Sequence, residues 1–145
     1  MSISKVTLGL IVVGGVFSCG PDADLVCDAS PATVTTEKVY NDVIKTQCLS
    51  CHGIPGTADA RKAGDYQSLQ VFTTTVVGAA SAGYVPLKMV DTDKKLDNST
   101  LWLKLLGDNT TGAGGKKTGP RMPEGGMLNA TQKKLVKDWI CGGAK

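Results

Sequence analysis

The chain has a single histidine, His52, in 145 residues, so any site that needs two or more imidazoles is excluded. Aromatic residues are scarce, at 5%, which leaves a modest side-chain core rich in turns around it. No stretch alternates apolar and polar residues as a half-buried strand would, and no internal repeat is present. The net charge is only +3 and is evenly spread, too little for a nucleic-acid footprint. At this length there is no room for a second core, so one all-α domain is the expectation. What the chain does have is glycine, 18 residues of it, and five cysteines, an odd number that needs explaining.

Lys5 is the only charged residue before Asp22, and Val6 to Phe17 follow it as an apolar run. Such a start reads as a secretory signal, too short to span a membrane comfortably. It ends in Val16-Phe17-Ser18-Cys19, which resembles the lipobox of bacterial lipoproteins. That resemblance implies a signal peptide over 1–18, lipid on Cys19, and a lipidated tether over 19–35. Gly20, where an inner-membrane retention signal would place Asp, implies sorting to an outer membrane, facing the periplasm or the cell surface.

Cys48-Leu49-Ser50-Cys51-His52 is a C-x-x-C-H motif, the attachment signature of c-type haem. Two thiols at this spacing can add across the two vinyl groups of one haem, and the following imidazole then lies against the iron. A thioredoxin-like dithiol would want a strand leading into the motif and a helix starting at its first cysteine. Zinc would need a second ligand pair, and Cys27 and Cys141 are far apart with no further histidine. Covalent haem is attached outside the cytoplasm, in keeping with the export signal. With Cys48 and Cys51 on haem and Cys19 on lipid, Cys27 and Cys141 remain, and an exported protein tends to oxidise such a pair. A Cys27–Cys141 disulfide is expected.

The remaining pattern is helical. Val39, Val43 and Ile44 form a stripe in a helix over 36–49, capped by Thr35 or Thr36. Residues 53–64 read as a loop. The stretch 66–77 mixes helical spacing with a β-branched run, Thr73 to Val77, and is assigned to helix. Asp97 to Thr100 offer caps for a helix over 101–106 that Gly107 ends, with Trp102, Leu105 and Leu106 facing inward. Glycine and proline make 108–126 a long loop. Asn129 and Gln132 form a capping box for the last helix, whose inner face carries Leu135, Val136, Trp139 and Ile140.

A helix ending in C-x-x-C-H, a glycine-rich loop with Gly119-Pro120-Arg121-Met122-Pro123, and a terminal Trp139-Ile140-Cys141-Gly142-Gly143-Ala144 resemble a small class I-type monohaem cytochrome c, of the planctomycete and myxobacterial type. The resemblance covers 36–145 and is weakest over 54–95. It implies one covalent haem c held by Cys48 and Cys51, with His52 as axial ligand. For the sixth ligand a thioether suits an electron carrier. Met122 occupies the family's ligand position, stiffened by Pro123, with Met89 and Met127 as the other candidates. Trp102 and Trp139 are expected in the core around the haem, and Tyr40 either in the core or bonded to a propionate. Lys133, Lys134 and Lys137 share a polar helix face that is either solvated or meets an acidic partner, and Lys116, Lys117 and Arg121, near the expected haem edge, are the better docking candidates.

The implied function is single-electron transfer between membrane or periplasmic redox proteins, alone or as a respiratory-complex subunit, with no catalytic group and no small-molecule substrate. The alternatives are a five-coordinate haem protein, such as a gas sensor or peroxidase, and an assembly lipoprotein that uses haem as a folding nucleus.

Overall fold

A computed structural model describes residues 23–53 and 66–145. The leader, Cys19 and most of the loop expected after Gly53 lie outside the described residues. The regular elements among the described residues are helical and no strand is formed there, in agreement with the all-α expectation.

Helix α1 begins at Thr36, where the Thr35 hydroxyl accepts from the Lys38 amide at 3.2 Å. It runs through Thr36–Val39, a π turn at Tyr40–Ile44, and Lys45–Gln47. In the π turn the Lys45 amide reaches back to Tyr40 O, and Val39, Tyr40, Val43 and Ile44 are all buried on one side. The motif then takes a helical turn of its own, α2, over Leu49–His52, with Cys48 at its N-cap position. The rod expected over 36–49 is therefore broken at Cys48.

Helix α3 covers Leu69–Val76, starting later than the 66–77 expectation because Ser68 caps it by accepting from Val71 N at 3.2 Å. Its threonines fit a helix by donating their hydroxyls backwards, Thr73 to Leu69 O at 2.8 Å and Thr75 to Val71 O at 2.7 Å. Residues 77–99 form isolated bridges, Val77 with Val90 and Lys88 with both Ala80 and Ser99. Buried Asp91 organises this region: its carboxylate accepts from the Asp93 amide and from the Asn98 side chain.

Helix α4, Thr100–Leu106, buries Leu101, Trp102, Leu103 and Leu105, while Leu106 is half-exposed. Ser99 precedes it without capping it. Its hydroxyl instead accepts from the Asp91 amide at 2.9 Å and donates to Lys95 O at 2.9 Å. The stretch expected as a long loop over 108–126 is paired along its first half. Asn109 N bonds Gly119 O at 2.7 Å, and Gly112 N bonds Lys116 O at 2.8 Å around the Thr111–Lys117 bridge. The Thr118 hydroxyl reinforces the pairing by donating to Thr110 O at 3.2 Å.

Helix α5, Ala130–Cys141, carries the capping box of Asn129 and Gln132 as expected. It packs on α1 and α4, burying Val136, Asp138, Trp139 and Ile140, with Leu135 half-exposed. Asp138 meets Lys134 one turn earlier at 2.7 Å. Fully buried aliphatic and aromatic side chains such as Val39, Phe72 and Trp139 each contribute on the order of 1.5–3 kcal/mol.

The segment before α1 is joined to the rest of the fold at several points. Leu25, Cys27 and Val34 pack against the core, the Trp102 indole donates to Asp24 O at 2.7 Å, and Cys27 is disulfide-bonded to Cys141 with Cα atoms 5.5 Å apart.

Candidate functional site

Helical spacing puts Cys48, Cys51 and His52 on one side of the α2 turn, since residues three and four apart share a helix face. The turn is closed by Cys51 N to Cys48 O at 3.2 Å and His52 N to Cys48 O at 2.9 Å. Both thiols are free, Cys48 half-buried and Cys51 exposed. Gly53 follows because a Cβ there would come within 2.8 Å of Leu49 O and 3.0 Å of the Leu49 side chain.

Burial, and secondarily the neighbouring Cys51, pushes the Cys48 thiol up to about 12. Cys48 is therefore a neutral thiol near pH 7, unlike the acidified first cysteine of a redox dithiol. Burial also raises the Tyr66 hydroxyl above its ordinary value, and the charge of a Cys48 thiolate would add to the effect. The His52 imidazole is stacked on the Tyr66 ring, centroids 4.6 Å apart. Tyr66, a neighbour the sequence pattern does not single out, carries the aromatic layer inward through Phe72 to Trp139. Tyr40 joins this layer beside Phe72 and donates its hydroxyl to Tyr66 O at 3.0 Å.

Cys48, Cys51 and His52 are the residues that could hold a covalently attached cofactor: two unpaired thiols a helical turn apart, and an imidazole that follows them and stacks on an aromatic ring. Among the described residues no three His, Cys, Asp or Glu side chains gather into a site for a bare metal ion.

The methionines stand on other segments. Met122 is half-buried, and its amide donates to Lys104 O at the end of α4 at 2.9 Å. The Lys104 ammonium also donates to Pro120 O at 3.1 Å and lies 5.1 Å above the Tyr84 ring, so α4 and the Tyr84 loop both brace the Met122 segment. Met89 is half-buried against the core, bonded through its amide to Ala79 O at 2.7 Å. Met127 is 62% exposed. A cleft of about 360 Å³ is lined by Asp24, Asp28, Trp102, Lys133, Lys134 and Lys137, none of them from the C-x-x-C-H turn. There the α5 lysines face carboxylates of the docked N-terminal segment. Lys117 is exposed, whereas Arg121 is half-buried and bonded through its amide to Asp108 at 2.7 Å.

Among the described residues no helix is long and apolar enough to cross a membrane. A scan against protein-family models finds no match, and neither the curated proteins nor the solved structures include a similar chain.

Proposed function

We propose that this chain is an exported, lipid-anchored monohaem cytochrome c that passes single electrons between redox proteins. One observation carries the reading: Cys48 and Cys51 stay unpaired on a single helical turn ending in His52, while Cys27 and Cys141 bond to each other. The cysteines thus divide into a structural pair and a pair with chemistry left to do. The structural pair also suits an oxidising compartment, where c-type haem is attached.

Haem bound here supplies a reversible one-electron change at iron. The chain's own residues do the rest. Cys48 and Cys51 would hold the porphyrin through their sulfurs, and His52 would supply an imidazole nitrogen to the iron. Met122, on the segment braced by Lys104, would supply a thioether sulfur. Tyr66, Phe72 and Trp139 keep water from one side of the site. With both donors held by the fold, little would rearrange on electron transfer, so the protein needs a docking surface and no catalytic group. Cys19 tethers it to the outer membrane, with protein donors and acceptors as partners.

The test is the oxidised and reduced visible spectrum of protein matured with haem, beside Cys48→Ser/Cys51→Ser. The reading expects a low-spin c-type spectrum, with the weak far-red band of methionine-bound ferric iron, and its loss in the double variant. A high-spin spectrum would turn the reading to five-coordinate haem chemistry. Absence of covalent haem would sink it.

A further inference from the structure

Tyr66 is bound to His52 in two ways. Its ring lies on the imidazole with the planes 22° from parallel, and its amide donates to the His52 carbonyl at 3.1 Å. It is held in turn by two further elements. From α1, Tyr40 donates its hydroxyl to the Tyr66 carbonyl. From α3, Phe72 meets the Tyr66 ring edge-on at 5.4 Å and is itself stacked on Trp139 at 5.9 Å. Tyr66 is only 4% exposed, and Phe72 and Trp139 are fully buried. Close-packed interiors transmit such constraints with little give. The Tyr66 ring is thus a rigid plate, and an imidazole lying on it has one preferred plane.

We propose that Tyr66 is the positioning residue for His52: the stack fixes the plane of the imidazole, and the amide bond fixes where the ring stands at the end of α2. This rests on the reading of His52 as an axial haem ligand. Partners in the outer shell of a metal-ligating histidine set its orientation and tune the metal. Here an aromatic plate and a backbone hydrogen bond come from one residue, fourteen positions further along the chain. No proton or electron passes through Tyr66 in this role.

The experiment compares mature holoprotein carrying Tyr66→Phe or Tyr66→Leu with the unaltered chain. It reads covalent haem by intact mass, the ferric g-tensor by electron paramagnetic resonance, and the midpoint potential. The g-tensor follows the plane of an axial imidazole, so it reports orientation directly. Phenylalanine keeps the plate and is expected to keep both signals. Leucine removes the plate and is expected to give a shifted, broadened g-tensor and a shifted potential at full haem content. Unchanged signals in the leucine variant would overturn the proposal and leave the haem reading standing. Should the leucine variant fail to accumulate, Tyr40→Phe frees the Tyr66 carbonyl and is expected to shift the g-tensor in part. No change there would equally overturn the proposal. An unaltered chain without covalent haem would overturn both readings at once.

Discussion

Thr36 opens the first helix and Trp139 stands near the end of the last, and the two are joined: the Trp139 indole donates to the Thr36 hydroxyl at 3.0 Å. That hydroxyl donates onward to Ala144 O at 3.3 Å. Thr36→Val keeps the shape and strands a buried indole N–H, which costs on the order of 1–3 kcal/mol. Urea unfolding followed by circular dichroism checks this. Thr46→Val, at an exposed hydroxyl on the same helix, is expected to be near neutral.

The Cys27–Cys141 bond spans 114 residues. On the chain-entropy account, opening a loop of that size costs about 4–5 kcal/mol. Cys27→Ala/Cys141→Ala is therefore expected to lower the unfolding midpoint strongly, and reductant to have no further effect on the double variant. A double variant as stable as the unaltered chain would refute the role.

Gly112 lies where α4 meets the paired segment, and a Cβ there would stand 2.4 Å from the Leu103 side chain and 2.6 Å from Asp97 O. A backbone oxygen cannot rotate away, so Gly112→Ala is expected to cost about 1–3 kcal/mol by overpacking. Gly83→Ala, with nothing within 4 Å, provides the control in the same denaturation experiment.

Under the proposed function, Met122→Ala opens the iron: the far-red band disappears and ferrous protein takes up carbon monoxide. Met127→Ala, at a residue 62% exposed, is expected to leave both unchanged. Loss of the band in Met89→Ala instead would move the sixth ligand to the core-packed methionine.

Much of the framework is legible because several local signals coincide. In α5 the Asn129–Gln132 box, the spacing of Val136, Trp139 and Ile140, and the closing glycines all fall within one short stretch. The C-x-x-C-H turn is legible because its chemistry is local, and the disulfide because the cysteine types sort by role. Where the sequence misleads, a distant group has intervened. Ser99 looks like a helix cap, but the buried Asp91 amide takes its hydroxyl. The threonines of α3 look strand-like until their hydroxyls find carbonyls one turn back.

Tyr66 illustrates the limit most clearly. It stands fourteen positions after His52, in a segment whose pattern says only that a helix is near. Its place on the imidazole depends on Tyr40, Phe72 and Trp139 arriving from three helices. No spacing rule within one element encodes a meeting of that kind.

The joining of the two ends also sets an order of events. Thr36 N is bonded by Lys145 O at 2.7 Å, and the disulfide clasps the same region. The first helix therefore lacks its closing partners until α5 is in place. The clasp makes the start of the first helix hang on residues from the far side of the domain, so loosening α5 is expected to fray α1 with it.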